Sequence, residues 1–128
     1  MNEIKKVAAT SARLREAMDL AGKKQADLMR ETGLDRGAIS SYLSGKYEPK
    51  QKAIGLLARA LNVSEMWLWG YDVPSVRTPS QKKADRMVPV INQLRQDDEL
   101  LAMVEKLTKI SSERKAIIKQ LLDTFPEE

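Results

Sequence analysis

A chain of 128 residues with a formal charge of +4 has the length of one domain, or of one domain plus an appendage. It has neither cysteine nor histidine, which removes disulfides, thiol nucleophiles, the usual zinc-ligand sets and imidazole acid–base chemistry; no metal or cofactor is implied. No apolar run is long enough to span a bilayer and no signal-peptide series is present, so a cytoplasmic location without a membrane partner is expected.

The elements read as helices throughout, with no alternating β-branched run to argue for a sheet. Leu14, Ala17, Met18 and Ala21 follow the i, i+3, i+4, i+7 rule, and Thr10 or Ser11 is available as N-cap. This first helix packs behind the next unit. From Gln25 to Lys50, QADLMRETGLDRGAISSYLSGKYEPK reads as two short helices joined by a tight glycine turn and followed by a basic loop. That is the sequence form of a helix-turn-helix, whose second helix lies in the major groove of DNA. Gly33 supplies the positive backbone angle that stops one helix, Leu34 turns inward, and Asp35 offers a carboxylate to cap the next.

Placing the residues from Arg36 to Ser44 about 100° apart puts Arg36, Gly37, Ser40, Ser41 and Ser44 on one side of the helix. Ala38, Ile39, Tyr42 and Leu43 occupy the other, and Gly45 closes the helix. One face packs. The other is small and polar, which lets the backbone sit close to base edges while the Arg36 fork reaches the O6 and N7 acceptors of guanine. The same small residues would also let another protein helix approach. From Arg36 to Arg59 the basic residues are Arg36, Lys46, Lys50, Lys52 and Arg59 against the single acid Glu48, an excess suited to phosphates and counterion release.

Ile54, Leu57, Ala58 and Leu61 repeat the helical rule after Pro49. Ser64 caps a short final turn in which Val63 and Leu68 form a hydrophobic staple. Trp67 is expected in the core or hinge, whereas Trp69 and Tyr71 could also touch the C-terminal segment or a partner subunit.

With these residues in view, the chain resembles the lambda-repressor-like, or Xre-type, helix-turn-helix family, especially its short phage-repressor-like members. The matching residues are Gln25, Leu28, Gly33, Leu34, Ile39, Ser40, Tyr42, Leu43, Gly45 and Pro49, then LLARALNVSEMWLWGYDVP from Leu56 to Pro74. The resemblance implies a five-helix DNA-binding domain in which Gln25 opens the first helix of the unit and touches a phosphate. It further implies base contacts from Arg36, Gly37, Ser40 and Ser41 and backbone contacts from Ser44, Lys46, Tyr47 and Lys50. Two residues depart from the family pattern. Met29 stands where many members carry a small Ala, and Gly37 puts no side chain where a base is often read, leaving readout to Arg36 and the serines.

After Pro74, PSVRTPSQKK has the composition of an exposed connector. Three helical patterns follow: Met87, Val90, Ile91 and Leu94; Leu100, Met103, Val104 and Leu107; and Ile118, Leu121, Leu122 and Phe125. Pro89 means that the first pattern either starts there or is kinked. Asp97, Asp98 and Glu99 suit a helix start better than a metal site, and Ser111 and Glu113 fit the start of the last helix.

The expected architecture is all-α: a five-helix lambda-repressor-like domain over 1–74, a linker over 75–83, and a helical dimerisation segment over 84–128 that pairs through Leu100, Val104, Leu107, Ile118, Leu121, Leu122 and Phe125. Docking of that segment onto the first domain is the alternative. The expected function is that of a sequence-specific double-stranded-DNA-binding regulator, a phage or mobile-element type of repressor acting as a homodimer on a pseudo-palindromic operator. Nothing after the connector resembles a self-cleaving protease domain, so a small antirepressor protein, altered synthesis or dissociation would relieve repression. An antitoxin that holds a toxin protein on its terminal helices is an alternative within the binding class, and a protein-interaction scaffold is one outside it. No nucleophile–base pair, phosphate loop or ligand set supports an enzyme.

Overall fold

Each of the first five helices delivers at least one side chain to a common core. In a computed structural model, which describes residues 3–127, these are α1 (Thr10–Ala21), α2 (Gln25–Thr32), α3 (Arg36–Ser44), α4 (Gln51–Leu61) and α5 (Glu65–Trp69). Leu14, Leu28, Ile39, Ile54, Leu57 and Leu68 are fully buried. Burial of such a side chain is worth about 1.5–3 kcal/mol, enough for one small core. Three more helices follow: α6 (Pro79–Gln96), α7 (Asp98–Leu107) and α8 (Ser112–Asp123). Among the described residues there is no strand beyond a single bridge between Lys6 and Tyr71. No helix among them is long and apolar enough to cross a membrane. The chain divides into two compact units, Met1–Asp85 and Arg86–Glu128.

The start of α1 differs from the sequence expectation. Its N-cap is Ala9, with no side-chain cap, while Thr10 is buried and its hydroxyl donates to the Trp69 carbonyl at 3.2 Å. A long-range acceptor has taken the hydroxyl that local pattern would assign to capping. Arg13 works in the same region: its Nη1 donates to the carbonyls of Trp67 and Tyr71, and its guanidinium lies 4.9 Å from the centroid of the Trp67 ring. This ties α1 to the end of α5 and accounts for the burial of Trp67. Trp69 packs against the core cluster. The Gly70 carbonyl accepts from the amides of Val7 and Ala8, and a Cβ at this position would lie 2.0 Å from the Ala8 oxygen. Only glycine permits that approach.

The stretch over 75–83 is not simply an exposed connector. Arg77 is 5% exposed; its Nε and Nη2 donate to the Asp85 carboxylate at 2.6 and 2.7 Å, and its Nη1 donates to the Val63 carbonyl at 3.0 Å. The Ser64 amide also donates to the Ser75 carbonyl. The hydrogen bonds from Arg77 hold the Asp85 carboxyl below the usual carboxylate range, and those to Asp85 raise the Arg77 guanidinium further. The α6 helix already begins at Pro79, behind a reciprocal cap in which Thr78 and Gln81 exchange backbone-to-side-chain hydrogen bonds at 3.1 and 3.2 Å. Pro89 therefore falls inside a helix that starts ten residues earlier.

In the second unit, Asp97 accepts from the Leu100 amide at 2.9 Å and Ser111 from the Arg114 amide at 3.3 Å, so both expected helix starts are capped. None of its described residues is buried.

Candidate nucleic-acid interface

The α2–α3 turn is built from local chemistry. The Gly33 amide donates to the Met29 carbonyl at 3.0 Å with φ at 74°, which ends α2 in one residue. Leu34 then packs against the core, and Asp35 Oδ1 accepts from the Ala38 amide at 2.7 Å to open α3. At the other end, Gly45 with φ at 80° stops the helix. Met29 also packs against the core from α2. Asp27 accepts from the Lys24 amide and from Arg30; these hydrogen bonds, the amide's first, lower its carboxyl below the usual range.

The rotational reading of α3 agrees with its burial. Ile39 is fully buried, Tyr42 and Leu43 pack partly against the core, and Arg36, Gly37, Ser40 and Ser44 are exposed. Ser41 is half-buried, at the edge of the strip. The fold does not require glycine at position 37. A Cβ there would meet only Asp35 Oδ1, at the ordinary contact distance of 3.4 Å, and its backbone is normally helical. Glycine inside a helix costs about 0.5–1 kcal/mol relative to alanine. It leaves a gap in the outer face of α3.

Beside α3 lies a cleft of about 690 Å³, lined by Gly37, Ser41, Tyr47, Lys50 and Lys52 among others. The structure thus brings two predicted base-contacting residues together with two predicted phosphate-contacting ones. It adds Lys52, which the charge count included but the site assignment did not. Lys46 is exposed next to Tyr47, its Nζ 5.5 Å from the ring centroid. Gln25 is half-buried at the first position of α2, and the Ser44 hydroxyl is engaged by the end of its own helix, donating to Ser41 O and accepting from the Lys46 amide. The charge cluster is narrower than its linear count. Arg59 sits in the last turn of α4, with its Nε 3.9 Å from Asp85, and is drawn into that ion pair rather than the cleft. Glu48 is partly neutralised by Lys6 at 2.9 Å, a contact that sequence spacing gave no means of finding.

In the second unit the predicted pairing residues divide into two groups. Leu107, Ile118 and Leu122 line one apolar groove of about 340 Å³, together with Met103, Ile110 and the stem of Lys106. Leu100 and Val104 are half-buried outside that lining, while Leu121 and Phe125 are 57% and 60% exposed. Of the two lining residues outside the predicted pairing set, Met103 belongs to the helical pattern read for α7, and Ile110 lies in the turn, where helical periodicity does not reach.

The chain matches no curated protein. The family model described as helix-turn-helix matches residues 14–68, from the middle of α1 to α5 and with the whole α2–α3 unit inside it. Residues 14–68 are accordingly a helix-turn-helix domain of the lambda-repressor-like, Xre-type family, the DNA-binding part of a transcriptional regulator.

Proposed function

We propose that this protein is a sequence-specific repressor of the phage or mobile-element kind, which binds double-stranded operator DNA as a homodimer. The supporting observation is the solvent-open strip of Arg36, Gly37 and Ser40 on a helix capped at both ends, with Lys46, Lys50 and Lys52 nearby. In this reading α3 enters the major groove, Arg36 donates in bidentate fashion to a guanine, and Ser40 and Ser41 contact neighbouring base edges through the gap at Gly37. Gln25, Tyr47 and the lysines set the register on the phosphates without reading sequence. Two copies reach successive major-groove faces about 34 Å apart and obstruct polymerase at an overlapping promoter.

Selection of bound duplexes from a random pool by the full chain tests this. A two-fold-related motif with half-sites about one helical turn apart is expected. Failure to enrich any motif at moderate salt contradicts sequence-specific recognition, and a single unrepeated half-site contradicts the dimer. Co-purification of a stoichiometric second protein on α7 and α8 would favour the antitoxin reading instead.

A further inference from the structure

The second unit has apolar side chains and nowhere to put them. Among its described residues none is buried, while Met103, Ile117, Leu121, Leu122 and Phe125 are each more than half exposed. A segment of roughly 40 residues without a disulfide cannot usually sustain a core alone. Its chain turns back between α7 and α8, so that Met103 and Leu107 share a groove with Ile118 and Leu122 around Ile110. The surface is unfinished.

Its charges indicate what finishes it. Around the turn, from Glu105 to Lys115, Lys106, Lys109, Arg114 and Lys115 outweigh Glu105 and Glu113. At the opposite end of the α7–α8 pair, Asp97, Asp98 and Glu99 begin α7, Asp123 ends α8 and Glu127 follows it, against Arg95 in the last turn of α6. One end is basic and the other acidic. The acids at α7 suit the positive end of its dipole, but α8 has no basic residue in its last turn, and of the acids there Asp123 has Lys119 beside it at 2.7 Å. An acidic helix C-terminus is the less favourable arrangement for an isolated helix, and it becomes favourable when positive charge arrives from outside.

We propose that the groove between α7 and α8 is filled by the same region of a second copy of this chain, with the two units running in opposite directions. The turn of each then lies against the acidic end of the other. This rests on the dimer reading above and specifies its geometry. The opposed arrangement places Lys109, Arg114 and Lys115 of each copy near the acidic end of its mate, and the apolar side chains of both fill one shared interior. A parallel arrangement would set basic turn against basic turn. Like charges in close apposition act against an interface, whereas opposite ones steer and register it. The two-fold relation also satisfies the requirement that one surface be complementary to itself.

Because the chain has no cysteine, single cysteines report orientation in the full-length protein. Ser112→Cys marks the turn and Asp98→Cys the acidic end. A short bis-maleimide added to a mixture of the two variants is expected to give mainly dimers joining one variant to the other, with little product from either alone. Efficient cross-linking of Ser112→Cys to itself overturns the opposed orientation but leaves the dimer. A monomeric wild-type chain by sedimentation equilibrium at tens of micromolar overturns the dimer and the proposal together. As a second readout, Lys109→Glu with Lys115→Glu is expected to weaken self-association about tenfold at low salt, and added Asp98→Lys with Glu99→Lys to recover most of that loss. Unchanged or tighter association of the first pair overturns the charge argument.

Discussion

In the proposed DNA-binding mode, Gly37 separates what the fold needs from what base contact needs. Its helical backbone and open surroundings predict that Gly37→Ala raises stability by about 0.5–1 kcal/mol while weakening DNA binding, measured by denaturant titration and by titration onto a selected site. Equal or tighter binding by the stabilised variant would show that no base edge approaches there. Lys46 is exposed and makes no ion pair with the described residues, so Lys46→Ala is expected to weaken binding to all duplexes similarly and to reduce the slope of log affinity against log salt by about one unit. Loss at one sequence only would make Lys46 a reader of bases. Asp85 supplies a pH signature. Its carboxyl titrates lower in the folded chain than in the unfolded one because Arg77 holds it ionised. Its stabilisation is therefore fully present above the unfolded value and is lost as the pH falls through the lowered folded value. Asp85→Asn leaves the buried Arg77 without its counter-charge, costs about 3 kcal/mol near neutral pH, and flattens the acid limb of the stability curve. Asp27 is shifted in the same direction, so some acid sensitivity persists.

At the scale of the element, α3 depends on its ends. Asp35→Ala removes the bond to the Ala38 amide and is expected to cost about 1 kcal/mol of stability, with a drop in DNA affinity that exceeds what loss of one remote carboxylate would produce. An unchanged melting temperature would mean that the α2–α3 turn is held by packing alone. This unit was legible in the sequence because its information is local: Gly33, Asp35, Gly45 and the inward set around Ile39 act within one or two turns. Less legible were the elements whose side chains answer to distant partners. Thr10 reads as a cap but bonds to Trp69, Arg59 reads as part of the DNA-facing charge but pairs with Asp85, and Arg77 lies in a polar stretch yet is buried. The start of α6 did carry a local signal, the Thr78–Pro79–Ser80–Gln81 capping box, which the surrounding connector composition masked.

On the scale of the molecule, charge and burial divide the chain between tasks. The unit up to Asp85 holds a closed core and most of the positive charge, including Arg36, Lys46, Lys50 and Lys52. From Arg86 onward, acids and bases nearly balance and apolar side chains lie open, a surface suited to protein rather than to phosphate. Joining two DNA-binding units through such a surface makes the second half-site contact intramolecular, which raises affinity without new contacts. The affinity for an operator with both half-sites is therefore predicted to exceed that for one half-site by on the order of 100-fold. Equal affinity for the two would indicate that each domain binds independently.

Direct reading of base edges by the outer strip of α3 would show itself first at Arg36. Binding of the wild-type chain and of Arg36→Ala should be measured on a selected operator and on its single-base variants at one salt concentration. If Arg36 donates to a guanine, the substitution removes about 1–3 kcal/mol of discrimination at one position of each half-site and leaves the other positions as selective as before. A loss spread evenly over all sequences, or no loss at all, would contradict the account.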